Sequence, residues 1–222
     1  MKAIDKSSLE KIFEALKSDG YTLIGPRLRE GSIIYDEIQS IQDLPVGWTD
    51  EQKAGYYRTN KRNDEALFGY VVGPHSWKKY LYPPKLKLWE AKKNGKSFTV
   101  KHNDGNTPRY AFIGMRSCEI SAMLIHDRVF NNGMFSDSYY NRVRENMFVL
   151  GVNCTEAGGT CFCVSMNTGP KAKSGFDIAI TEITSGGHYF LLEEATAKGK
   201  KIAAAAGGTA ATVEQKKAAE DA

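Results

Sequence analysis

Leu9, Ile12, Phe13 and Leu16 recur at helical spacing behind Ser7-x-x-Glu10, and Gly20 follows them. The pattern predicts an amphipathic helix that opens with a capping box and ends near Lys17. From Tyr21 to Asp36 the apolar run changes to β-branched and aromatic residues on both sides of a charged turn at Arg27 to Gly31, which predicts a hairpin. Residues 38–63, with Pro45, Gly47 and Gly55, read as loop-rich. Tyr56 to Arg58 and Leu67 to Val72 then read as short strands, the second ended by Gly73-Pro74. HSWKKYLY can start a helix, which Pro83-Pro84 stops. Between Leu86 and Asp104 the chain is amphipathic and rich in lysine, and Asn103-Asp104-Gly105-Asn106 is a turn signal.

Tyr110 to Gly114 reads as a buried strand, Cys118 to Phe130 as a helix and Met147 to Val152 as a second strand. That order is a βαβ unit, for which a parallel pair with a right-handed crossover is expected. Phe176 to Ile183 and His188 to Leu192 follow as strands split by Ser185-Gly186-Gly187. From Ala195 the chain turns to Ala, Lys, Gly and Glu, with too few large apolar residues to promise a core, and reads as a helix broken at Gly207-Gly208. The expected fold class is α/β, a mixed sheet with a parallel βαβ unit in its second lobe and an α+β lobe before it. The expected divisions are an N-terminal lobe at 1–105, a cysteine-bearing lobe at 106–195, and an alanine- and lysine-rich helical linker or tail at 196–222.

The 222 residues, 41% of them hydrophobic, can bury a core. Thirty basic residues against 26 acidic leave a formal charge of +4, without the like-charge blocks that would suggest nucleic-acid binding. The charged start lacks the apolar stretch of a signal peptide, and no later run approaches the ~18 apolar residues of a membrane span. A cytoplasmic location is therefore expected.

All four cysteines fall between positions 118 and 163, as Cys118-x35-Cys154-x6-Cys161-x-Cys163. In a reducing compartment such clustering points to metal or redox chemistry rather than a disulfide scaffold. Cys118 is expected at the start of a helix, where free N–H groups and the helix dipole favour a thiolate or an anionic cluster. Cys154 should follow the next parallel strand at the same edge of the sheet, where ligand sites gather. Cys161 and Cys163 flank Phe162 in a loop whose Gly158 and Gly159 would let the backbone fold around an inorganic group. Four such thiols suit a [4Fe–4S] cluster or a tetrahedral zinc, and ordinary buried cysteines are the plainer alternative. None of His75, His102, His126 and His188 has a sequence context that suggests a cysteine–histidine dyad. Asn167-Thr168-Gly169-Pro170 reads as a plain turn, and the 75–80 stretch as a helix with one buried aromatic face, with partner docking as its alternative. No G-x-G-x-x-G, HExxH or P-loop motif is present.

GPHSWKKYLYPP at 73–84, FIGMRSCEISAMLIHDRVF at 112–130 and NCTEAGGTCFCVSMNTGPKAKSGFDIAITEI at 153–183 resemble the family that unites sulfhydrogenase beta-subunits with the A-subunits of anaerobic sulfite reductases. The resemblance runs in order over roughly residues 20 to 195. Glu119 stands where that family commonly has Asp, and Asn167 where it has Gly. The two Cys-x2-Cys-x2-Cys-x3-Cys runs of the family's ferredoxin-like module are missing, so the chain looks like an N-terminal portion, its alanine-rich end matching a linker. The resemblance implies an electron-transfer subunit of an iron–sulfur oxidoreductase, with Cys118, Cys154, Cys161 and Cys163 as ligands of a [4Fe–4S] cluster. It implies as partners a flavin-bearing, pyridine-nucleotide- or ferredoxin-linked reductase subunit together with a catalytic hydrogenase or sulfite reductase subunit. The alternative is a non-redox scaffold or docking domain with a structural zinc or no metal.

Overall fold

The computed structural model describes residues 1–222 except 74, 103–106 and 132–133, and leaves the His102 side chain undescribed. In chain order the elements are β1 (Lys2–Ile4), α1 (Lys6–Ser18), β2 (Thr22–Arg29), β3 (Ser32–Glu37), β4 (Trp48–Lys53), β5 (Tyr56–Lys61) and α2 (Lys78–Leu81). They continue with β6 (Trp89–Asn94), β7 (Ser97–His102), β8 (Tyr110–Arg116), α3 (Ser117–Asn131), α4 (Ser138–Glu145) and β9 (Phe148–Val152). The chain closes with β10 (Ile178–Ile183), β11 (Tyr189–Glu194), α5 (Ala197–Ala206), β12 (Thr209–Ala210) and α6 (Val213–Asp221). The turn expected at Asn103 to Asn106, and Pro74 of the expected strand stop, lie outside the described residues.

Eight strands form one mixed sheet in the order β12-β1-β11-β10-β9-β8-β2-β3. Strands β2, β8, β9 and β10 run parallel, as the βαβ reading of 110–152 expects, and the hairpins β2–β3 and β10–β11 are antiparallel. The sheet thus draws strands from 1–105, 106–195 and 196–222 alike. β4–β5 and β6–β7 are separate two-stranded hairpins.

Alternate side chains of a strand point to opposite faces, and the central strands are apolar on both. Ala111, Ile113, Phe148, Leu150 and Val152 pack with Leu9, Ile12, Phe13 and Leu16 of α1 and Ile202, Ala203 and Ala206 of α5. Phe112 and Val149 pack on the other face with Ile120 and Met123 of α3, Tyr140 and Val143 of α4, and Trp77 and Leu81 around α2. The result is a sheet between two helical layers, each buried α1 side chain stabilising it by about 1.5–3 kcal/mol.

Several local expectations are corrected. The N-cap of α1 is Asp5, whose carboxylate accepts the Ser8 N–H at 2.8 Å, in place of a box built on Ser7. The loop-rich stretch 38–63 contains the β4–β5 hairpin, and α4, absent from the sequence reading, precedes β9. The strand expected at 67–72 does not form. Instead the Glu182 carboxylate accepts the Leu67 and Phe68 N–H groups at 2.7 and 2.8 Å, while the Arg116 guanidinium donates to the Phe68 and Tyr70 carbonyls. Side chains at the ends of β10 and β8 take the bonds that a ladder would have made. Trp77 is 1% exposed, so the aromatic face of the 75–80 stretch is core. The alanine-rich stretch, expected to lack an anchor, packs closely because its helix is slim. A Cβ on Gly199 would stand 2.0 Å from the Asp177 carbonyl oxygen.

Candidate functional site

Cys118 lies in the first turn of α3, directly after β8, and Cys154 follows β9, the parallel neighbour of β8. Both therefore stand at the carboxyl edge of adjacent parallel strands. Gly114, with φ of +81°, lies at the irregularity where the β8–β9 register shifts between Ile113 and Met115. That conformation suits a residue without a Cβ, and the shift sets how β8 delivers Arg116 and Cys118 to the edge.

The loop after Cys154 carries the remaining two thiols, and Gly169, beside the Cys163 sulfur, also lies near Ser117 at the start of α3. All four cysteines are free, with Cys118 and Cys161 exposed and Cys154 and Cys163 half-buried. Desolvation first, then the Glu119 carboxylate and the other cysteines, pushes the Cys118 thiol up to about 11. Desolvation and the adjacent carboxylate act against ionisation, in opposition to the helix N-terminus, whose free N–H groups and dipole favour a thiolate or an anionic cluster. Cys154 is also raised, by desolvation first, against the pull of Arg116.

The loop geometry differs in its physical reason from the sequence reading. A Cβ on Gly159 would meet the Gln52 carbonyl oxygen at 2.3 Å, and one on Gly158 the Val71 side chain at 3.0 Å. The two glycines admit the Gln52 backbone and the Val71 side chain of earlier segments. The Thr160 hydroxyl donates to Gln52 Oε1 at 2.6 Å, and Arg62 ties Glu156 at 2.6 Å to Asp64 and the Gly69 carbonyl. On the other side the Thr168 N–H donates to the Cys163 carbonyl, the Cys154 N–H to the Pro170 carbonyl and the Ser117 hydroxyl to the Lys171 carbonyl. A Cβ on Gly169 would stand 2.9 Å from the Cys163 sulfur, so this glycine keeps room for the thiol. The Asn167 to Pro170 turn is thus a brace for the cysteine edge.

Sequence reasoning missed Arg116, Glu119, Tyr35 and Tyr70. Arg116 is 4% exposed. Burial works against its charge, and Cys154, Tyr70, Tyr35 and Glu119 outweigh it. Its Nε and the buried Tyr70 hydroxyl have no hydrogen-bond partner among the described residues. Glu119 accepts the Tyr35 hydroxyl at 2.6 Å and the Arg116 N–H at 2.9 Å, and burial raises its pKa. An arginine two residues before a cysteine was the available signal; what it binds depends on residues 46 and 48 positions away.

Among the described residues no thiol–histidine hydrogen bond occurs; His188 pairs with Glu182 at 2.7 Å and His126 lies against Trp77 and Phe130. Nor, among the described residues, do three or more His, Cys, Asp or Glu side chains stand in an arrangement ready to hold a metal ion. The donor set suits iron or zinc in kind, with four free thiols and, near Cys154, a buried guanidinium whose Nε–H has no acceptor among the described residues. Its side chains are not drawn into a metal-holding group. No described helix is long and apolar enough to cross a membrane.

The fold and edge define a class: a mixed α/β domain with two free thiols at the carboxyl ends of adjacent parallel strands and two more in the loop that follows. Within it, the chain is similar to sulfhydrogenase 2 subunit beta of Pyrococcus furiosus, at 28% identity over 192 residues, which is 82% of this chain and 48% of that protein. The chain spans about half the length of this curated relative. No family model and no solved structure matches it.

Proposed function

We propose that this chain is an electron-transfer subunit of a multisubunit iron–sulfur oxidoreductase of the hydrogenase or sulfite reductase type. The observation that supports the reading is four free cysteines, Cys118 and Cys154 at the carboxyl ends of adjacent parallel strands and Cys161 and Cys163 in the loop that follows, in a chain similar to a sulfhydrogenase beta subunit. In this reading the four thiols hold a [4Fe–4S] cluster, which supplies one-electron transfer when bound. Residues 106–195 carry the site, strands and loops from 1–105 share its sheet and brace it, and α5 of 196–222 packs on the same sheet. The Arg116 charge offsets the negative charge of four thiolates, and the loop braces from Gln52, Arg62 and residues 168–171 hold Cys154, Cys161 and Cys163 in reach. Binding couples to rearrangement of these side chains, as metal sites commonly do. The partners are a flavin-bearing reductase subunit, linked to a pyridine nucleotide or ferredoxin, and a catalytic subunit.

The test is anaerobic expression with iron, sulfide and zinc analysis and an absorption spectrum, on the wild type and on Cys161→Ser/Cys163→Ser. Roughly four irons and four sulfides per chain, lost in the double variant, are expected. Zinc, or no metal at all, overturns the reading and leaves a scaffold domain that docks other subunits.

A further inference from the structure

The β6–β7 hairpin pairs Trp89 with His102, Ala91 with Val100 and Lys93 with Phe98. Residues directly opposite in an antiparallel pair share a face. One face therefore presents Trp89, Ala91, Phe98 and Val100 with Lys93 at its end, and the other Glu90, Lys92, Asn94, Ser97, Thr99 and Lys101. Every residue from 91 to 101 is exposed, and Trp89, Phe98 and Val100 are 58%, 68% and 54% exposed. Such a face is what a sheet normally lays on a core, and a two-stranded hairpin alone is marginally stable in water. Residues 85–101 also carry six lysines against one carboxylate, Glu90.

We infer that this hairpin is a docking arm whose apolar face seats on an apolar patch, rimmed by carboxylates, of a different protein. Charge selects among the occupants. A second copy would set six lysines against six, which like-charge repulsion opposes. Hydrocarbon would receive two open strand edges whose N–H and C=O groups it cannot satisfy, whereas a protein strand or polar rim can. A nucleic-acid strand needs rings and cations turned to one side, and here Lys92 and Lys101 lie on the face opposite Trp89 and Phe98. A protein surface with an apolar centre and an acidic rim meets both features, with aromatics at the centre as interface cores favour. The inference does not depend on the cysteines holding iron.

The test replaces Phe98, or Thr99 on the opposite face, with the photo-crosslinking residue p-benzoylphenylalanine in the full chain, expressed in the cells that normally make it. Crosslinked peptides are then identified by mass spectrometry. The expected product at position 98 is a peptide of another protein whose surface at that point combines apolar residues with Asp or Glu. Its yield should exceed that at 99 and fall about tenfold with Trp89→Ser or with Lys93→Glu/Lys96→Glu. An unchanged thermal transition for these variants shows that the fold is kept, since the altered side chains are exposed. Crosslinks to a second copy, to lipid or to nucleic acid overturn the inference, as does a yield at 98 no greater than at 99. If the partner found holds no redox centre, the docking arm stands and the electron-transfer reading loses its support.

Discussion

Glu119 follows Cys118 in the chain, and through the Arg116 N–H and the Tyr35 hydroxyl its carboxylate is held at the cysteine edge. Its negative charge, added to desolvation, makes the Cys118 thiol harder to ionise, with a value of about 11 against 9.0 for a free thiol. The metal-free chain should therefore alkylate slowly at Cys118 near pH 7, with a rate that climbs from pH 9 towards about 11. Glu119→Gln should move that rise to lower pH. Peptide-resolved iodoacetamide kinetics measure both, and a wild-type midpoint at or below that of a free thiol would refute the assignment. The sign also bears on stability: the folded chain keeps this contribution below pH 9.0 and loses it as pH rises through about 11. None of this was readable from Cys118-Glu119 in sequence, because a helix N-terminus argues for the opposite shift. The direction was decided first by desolvation and then by where the carboxylate is held.

α5 shows at the level of the element why composition misled. Alanine and glycine bury little area, yet they let a helix approach closely, and here the approach is fastened by Asp177. Its carboxylate accepts the Val149 N–H at 2.9 Å and the Thr196 hydroxyl at 2.6 Å, and its carbonyl lies against Gly199. Gly199→Ala places a methyl group 2.0 Å from that carbonyl oxygen. It should destabilise the protein by about 1–3 kcal/mol or more, read as a shift of the urea midpoint. An unshifted midpoint would mean that α5 does not pack as described. The segment 66–70 teaches the converse. Its apolar run was legible as buried chain, but not as buried loop, since Glu182 lies 114 and 115 residues, and Arg116 46 and 48 residues, away from the groups they satisfy.

Across the whole molecule, the cysteine loop is fastened to the N-terminal segments through Arg62, which bridges Asp64, Glu156 and the Gly69 carbonyl. The hydrogen bond from Arg62 is the first cause that lowers the Asp64 carboxyl to about 2 from an ordinary 3.8. A depressed carboxylate stabilises the folded chain fully above its unfolded value and ceases to do so as pH falls through its folded one. Stability should therefore decline between pH 3.8 and about 2, and Asp64→Asn should flatten that part of the profile. Urea midpoints measured against pH decide it: equal slopes for both chains would show that Asp64 takes no part in the acid response. Asp64 is substantially exposed, so the effect is a modest fraction of the acid transition.

The local pattern of the chain by itself determined the α1 helix, the hairpins β2–β3 and β10–β11, the β8–α3–β9 unit and, through it, the edge on which Cys118 and Cys154 stand. These follow from periodicities that each element carries within a few residues. Only the tertiary structure decided that β2 and β3 join β8 to β11 in one sheet, that Gly158 and Gly159 admit the Val71 side chain and the Gln52 backbone, and that desolvation, Glu119 and Arg116 act on Cys118 and Cys154. Those facts depend on contacts between residues far apart in sequence, where packing and the need to satisfy buried polar groups override local preference.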